Sequence, residues 1–153
     1  MRAARFHAPG KPLALEEVPA VAPGTGEARV EIKGCGICGT DLHIALEGSI
    51  QLPKTPITLG HEAAGVVAEV GPGVSGWKPG DRVAIFPNVA CGSCYACREG
   101  REVLCLNAEV LGINRDGAFA DFVTLPATCL LPLPQPVPFT VGAILADAVS
   151  TAY

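Results

Sequence analysis

Residues 60–80 read Gly60-His61-Glu62-Ala63-Ala64-Gly65-Val66-Val67-Ala68-Glu69-Val70-Gly71-Pro72-Gly73-Val74-Ser75-Gly76-Trp77-Lys78-Pro79-Gly80, and two folds compete for them. Positions 63–70 have the small and β-branched character of a strand. Gly71 to Gly76 then matches the dinucleotide-binding spacing G-x-G-x-x-G. That fingerprint requires a helix immediately afterwards, because the pyrophosphate sits on the helix N-terminus. Trp77-Lys78-Pro79-Gly80 cannot open one, so the segment reads as strand and turn. A second match, Gly34 to Gly39, precedes a stretch at 40–46 with room for about two helical turns before Gly48, and 51–56 does not complete a βαβ unit of ~30 residues. Neither match predicts a dinucleotide fold.

Working outward, short runs at 2–6, 13–18, 28–33, 82–86 and 119–125 read as further strands, punctuated by Pro9-Gly10, Pro23-Gly24 and Gly26. Six strands without crossover helices predict a mainly β fold with short helices, closed into a small, partly open barrel. The helix at 40–46 takes Thr40 or Asp41 as N-cap and ends at Gly48. Pro126, Pro132, Pro134, Pro136 and Pro138 exclude regular helix and central strand, so that span is expected to be an extended connector near a domain boundary. Residues 139–153 read as a helix with Thr140 as N-cap and Val141, Ile144, Leu145 and Ala148 at helical spacing. No stop signal follows, so the expectation is that the chain is cut inside this helix.

Bulk properties narrow the function. A chain of 153 residues has room for one domain, and 49 % hydrophobic with 17 % charged residues is the balance of a chain that folds. The net charge of −4 offers no basic surface for a run of phosphates, which argues against nucleic acid. No apolar run reaches the ~18 residues of a membrane span, and residues 1–10 lack a secretory apolar stretch, so a cytoplasmic protein with no membrane partner is expected. Seven cysteines in a reducing compartment point to metal or chemistry rather than to disulfides.

Four of them lie close together: Cys91-Gly-Ser-Cys94-Tyr-Ala-Cys97, then Cys105. Four thiolates can enclose a zinc ion tetrahedrally at about 2.3 Å, and such a closed shell holds a loop together without doing chemistry. Two disulfides or four unrelated thiols are the plainer alternatives. A nucleic-acid zinc ribbon would need separated cysteine pairs on a basic surface, which the chain lacks. Cys38, with Thr40, Asp41 and His43 just beyond it, follows a strand, and His61-Glu62 heads the next one. Each histidine alone is an ordinary core residue; with a soft thiol they make an N/S set suited to an open zinc site with an exchangeable position.

The pattern Gly60-His61-Glu62-x-x-Gly65 with Gly71 and Val74, the cysteine spacing and the loop Gly36-Ile37-Cys38-Gly39-Thr40-Asp41 together resemble the medium-chain zinc-dependent alcohol dehydrogenases, in their GroES-like catalytic domain. The resemblance implies a domain over 1–153, with 139–153 starting the helix that leads to a nicotinamide-binding Rossmann domain outside this sequence. It implies two zinc ions, one structural on Cys91, Cys94, Cys97 and Cys105, and one catalytic on Cys38 and His61, with Glu62 beside it as an alternate ligand. The third catalytic ligand is implied to be Asp147 in Ala146-Asp147-Ala148, although Asp147, Ser150 and Thr151 also read as an ordinary polar helix face. Further implications are a proton relay through Thr40 and His43, a substrate pocket at Phe86 and Pro87, NAD or NADP as hydride acceptor, a small alcohol, aldehyde or ketone as substrate, and a dimer or tetramer. Rival readings are a zinc-stabilised structural or binding module without catalysis, and a zinc-free reductase, against which the four cysteines, Cys38 and His61 argue. Cys35 and Cys129 match no ligand position and are expected to be buried as small apolar residues. His7 has no evident partner, and Trp77 is expected to pack on the core.

Overall fold

The computed structural model describes residues 1–152, so Tyr153, the last residue of the expected C-terminal helix, lies outside the described residues. Ten strands are present among them: β1 (Arg2–Phe6), β2 (Ala14–Glu17), β3 (Glu27–Gly36), β4 (Ile57–Thr58), β5 (Glu62–Val70), β6 (Arg82–Ile85), β7 (Asn88–Val89), β8 (Glu109–Val110), β9 (Phe122–Pro126) and β10 (Leu130–Pro132). They form a five-stranded sheet in the order β10-β6-β5-β3-β9, a three-stranded sheet β2-β1-β4 and the pair β7-β8. Every pairing is antiparallel. The mainly β class with short helices expected from the sequence is the class observed.

The differences from the sequence reading are local. Four strands of two or three residues were not expected, since so short a run shows no period. The strand expected from Phe119 starts at Phe122, because Phe119 instead uses its carbonyl to accept from the Ala4 backbone N–H at 2.7 Å. The proline-rich connector contains β10, which the prolines permit because it lies at the sheet edge.

β3 and β5 are the spine. They pair along most of their length, with register shifts between Arg29 and Val30 and between Ile32 and Gly34. Alternate residues of β3, Ala28 and Val30, enter the main core with Ala63, Val67, Val83, Ile85, Leu111, Val123 and Leu125, and Trp77 packs against that cluster as expected. A second cluster, Phe6, Ile44, Ile57 and Leu59, ties the three-stranded sheet to the segment after Cys38. A third, Ala64, Leu133 and Ala143, seats the C-terminal helix on the five-stranded sheet.

The helices are shorter and less regular than expected. α1 (Gly39–Leu42) is N-capped by Cys38, not by Thr40 or Asp41, and passes into a wider π-type turn, His43–Glu47, that ends at Gly48 with φ 65° as the sequence predicts. α2 (Tyr95–Arg98) lies within the cysteine lobe. α3 (Phe139–Ile144) begins after Pro138 instead of at a Thr140 cap, widens into a second π-type turn at Leu145–Val149, and continues as α4 (Ser150–Ala152). Proline at an N-terminus sacrifices only an N–H that has no helical partner. No helix among the described residues is long and apolar enough to cross a membrane.

Candidate metal centre

The centre is built where three chain segments meet. β3 ends at Gly36, and Cys38 follows as the cap of α1, its backbone N–H donating to the Asp41 carboxylate at 3.0 Å. The other oxygen of Asp41 accepts the backbone N–H of Gly60 at 3.3 Å, so one buried carboxylate ties the Cys38 loop to the loop entering β5. Gly60 turns that loop with φ 92°, and His61 follows, only 5 % exposed. Its Nε2 stands 3.1 Å from Asp147 Oδ2, and its Nδ1 faces Asp41 Oδ1 at 3.8 Å with no hydrogen bond. Asp147 comes from the π-type turn after α3, and its Oδ1 accepts the Thr151 hydroxyl at 2.9 Å.

One ligand atom each from Cys38, His61 and Asp147 lies within 4.8 Å of the other two. Ligand atoms around a tetrahedral zinc stand roughly 3.3–3.8 Å apart, given bonds of about 2.0–2.3 Å. The set therefore fits such an ion after small side-chain adjustments, with sulfur, nitrogen and oxygen donors. The buried, unpartnered Nδ1 of His61 fits as well: were Nε2 to hold an ion, Nδ1 would carry the proton toward the Asp41 carboxylate it faces, the usual outer support of a metal-binding imidazole.

Thr40 lies at the mouth, its hydroxyl oxygen 3.7 Å from the Cys38 sulfur. With His61, Asp147, Phe86, Pro87 and Ile113 it lines a cleft of about 250 Å³. His43 does not line it: the ring is half exposed and pairs through Nδ1 with Glu47 at 2.8 Å. Glu62 is buried beside the centre, with its carboxylate over Gly36 where a side chain would otherwise sit, and it is outside the group of three. A larger cavity, about 500 Å³, lies against Met1, Arg5, Lys54, Arg115 and Phe122 and contains none of these residues.

The four cysteines form a second centre. Their sulfurs all lie within 4.8 Å of one another, with Cys94 and Cys97 at 3.5 Å, Cys94 and Cys105 at 3.9 Å, and Cys91 and Cys97 at 4.0 Å. A disulfide needs about 2.05 Å, and all seven cysteines are free. The backbone N–H of Ser93, followed by that of Cys94, holds the Cys91 thiol down to about 5, while burial pushes Cys97 up to about 12. A thiolate at Cys91 is thus favoured for a cation to bind, and the ion itself must drive the proton from Cys97.

The profile of the alcohol dehydrogenase GroES-like domain matches residues 24–135. The chain belongs to that family. The L-threonine 3-dehydrogenase of Xanthomonas oryzae is 43 % identical over 131 residues, which cover 84 % of this chain and 38 % of that protein. Among solved structures, the alcohol dehydrogenase of the hyperthermophilic archaeon Aeropyrum pernix superposes with a TM-score of 0.90 at 40 % identity, over 100 % of this chain and 46 % of that one. The cobalt- and zinc-bound thermostable alcohol dehydrogenase of Pyrobaculum aerophilum gives 0.85 at 32 %, over 95 % and 44 %. The GroES-like chain therefore spans about two fifths of the length of these relatives.

Within this GroES-like domain, sequence reasoning missed the bridging role of Asp41, which was visible only as a candidate cap. A signal existed, since an acidic residue three places after a cysteine ligand can reach back to that loop's backbone. Asp41→Ala is expected to weaken zinc binding at Cys38 and His61 by about 10- to 100-fold while sparing the four-cysteine centre, as read by competition with a chromogenic chelator. His7 does have a partner, Glu16 at 2.6 Å. Cys129 is buried as expected, whereas Cys35 is half buried, with its thiol pushed up to about 12 by partial desolvation.

Proposed function

We propose that the protein is a zinc-dependent oxidoreductase that interconverts an alcohol with its aldehyde or ketone by hydride transfer involving NAD or NADP. In this reading the chain is the zinc-binding catalytic domain, and residues 139–153 begin the helix leading to a nicotinamide-binding domain. The observation that carries the reading is the convergence of one ligand atom each from Cys38, His61 and Asp147 within 4.8 Å, beside a cleft that His61 and Asp147 line. The names of the relatives, alcohol dehydrogenases and L-threonine 3-dehydrogenase, support it. Two zinc ions per chain are expected, one in the cleft and one held by Cys91, Cys94, Cys97 and Cys105.

A zinc ion in the cleft supplies a Lewis acid that makes loss of an alcohol proton accessible near neutral pH. The Cys38 thiolate and the Asp147 carboxylate balance its double charge, and neutral His61 leaves that balance unchanged. Glu62, buried beside the centre, is the alternate ligand. The Thr40 hydroxyl, at the mouth, accepts the substrate proton as it releases its own, and half-exposed His43 passes a proton to solvent. No hydrogen bond joins Thr40 to His43 among the described residues, so this relay needs an intervening group such as a substrate or cofactor hydroxyl. Phe86, Pro87 and Ile113 present apolar walls that keep bulk water from the reacting carbon.

The substrate is a small molecule, and the complete enzyme is a homodimer or homotetramer. Seven free thiols favour a cytoplasmic location. Metal analysis tests the reading: two zinc ions per chain, falling to one in Cys38→Ala. One zinc that survives Cys38→Ala would leave a zinc-stabilised structural module in place of an enzyme.

A further inference from the structure

We propose that Arg82 is a positioning residue for Asp147, gripping the start of the C-terminal helix so that the carboxylate meets His61. The proposal rests on the reading of Asp147 as a zinc ligand. Arg82 holds the preceding segment at three points. Its guanidinium carbon lies 3.9 Å from the centroid of the Phe139 ring, its Nη2 donates to the Val137 carbonyl, and its own carbonyl accepts the Leu133 N–H at 3.0 Å. A guanidinium stacked on a ring face and partly shielded from water makes a firm contact.

The helix needs such an outside hold. α3 has no side-chain cap of its own. It lies flat on β3, where a Cβ on Gly34 would be 3.2 Å from the Phe139 carbonyl oxygen and one on Gly36 would be 3.2 Å from Ile144 Cγ2. These contacts set its height above the sheet and Ala143 packs with Ala64 and Leu133, while Arg82 adds a directional hold at the start of the helix. Asp147 is eight residues beyond Phe139, about 12 Å along the axis, so a pivot of roughly 10° at Phe139 moves the carboxylate by about 2 Å. That is enough to open the 3.1 Å approach between Asp147 and His61.

Cobalt(II) titration of the protein tests the proposal, because the four-cysteine centre and the Cys38 centre give separable absorption bands. Asp147→Ala and Arg82→Leu should each weaken cobalt at the Cys38 centre by about 10- to 100-fold. Arg82→Lys, which keeps a cation for the ring, should recover most of the loss. The double variant Asp147→Ala/Arg82→Leu should bind no more weakly than Asp147→Ala alone, because Arg82 acts through Asp147. The four-cysteine centre serves as the internal reference for cobalt, and an unchanged far-ultraviolet circular dichroism spectrum and urea midpoint report that the fold persists. If Arg82→Leu does not fold, Phe139→Leu removes the ring contact while leaving the bond to Val137, and should weaken cobalt at the Cys38 centre in the same direction by a smaller factor. Unchanged cobalt affinity in Arg82→Leu or Phe139→Leu, with a weakened Asp147→Ala, overturns the proposal, as do additive losses in the double variant. An Asp147→Ala protein that binds cobalt normally overturns the ligand reading itself, and the role of Arg82 with it.

Discussion

With His61 replaced by alanine, the zinc content is expected to fall from two ions per chain to one and, on the proposed function, alcohol oxidation by the complete enzyme to drop ~10³-fold or more. The size follows from the position of the ring. His61 is buried between two carboxylates, 3.1 Å from Asp147 and 3.8 Å from Asp41, and contributes the nitrogen of the donor set. Alanine removes that donor and leaves the two carboxylates on either side of a small void. His61→Cys should recover part of the metal binding, because a thiolate is also a competent zinc ligand. The readouts are kcat/KM with a simple secondary alcohol and metal analysis of the same sample. Unimpaired turnover by a protein holding one zinc would remove His61 from the chemistry.

The largest expected effect on stability comes from a residue with no chemistry. Gly65 sits in β5 opposite Ile32, next to a register shift of β3, and a methyl group there would overlap the carbonyl oxygen of Glu31 and press on Val30. The obstacle is backbone in the longest strand pairing, so it cannot swing aside. Gly65→Ala is expected to cost ~3 kcal/mol or more, a large share of the 5–15 kcal/mol typical of a domain. Gly76→Ala makes a useful contrast: a Cβ there meets nothing within 4 Å, and only the φ of +85° opposes it, at about 1–2 kcal/mol. Urea unfolding midpoints would show the ordering, and equal losses would contradict it.

The parts legible in the sequence were those whose information is local. The cysteines at 91, 94, 97 and 105 are close enough in the chain to meet through their own loop. Trp77-Lys78-Pro79-Gly80 cancels the dinucleotide fingerprint within four residues. His61 and Cys38 are far apart in sequence; their donor chemistry suggested a shared zinc and a resemblance to whole proteins strengthened the pairing, whereas the fold joins them through Asp41, whose two hydrogen bonds to backbone N–H groups have no sequence period. Asp147 was the hardest to read. The widening of the helix at Leu145–Val149 re-aims its side chain, and neither an ideal helical wheel nor residue propensity encodes that turn. Strands of two residues, such as β4 and β7, exist because their neighbours offer an edge, not because of their own composition.

The Asp41 bridge means that the Cys38 and His61 arms of the candidate centre are stapled together before any cation arrives. Little chain entropy remains to be lost on loading, so uptake there resembles filling a rigid socket and should leave the amide spectrum of the spine almost unmoved. The cysteine lobe has only its own short loop to hold it, and there the ion acts as a mould. On gradual exposure to a chelator, the lobe should lose its shape together with its zinc, while the socket empties and stands ready to be refilled, with cobalt as readily as with zinc.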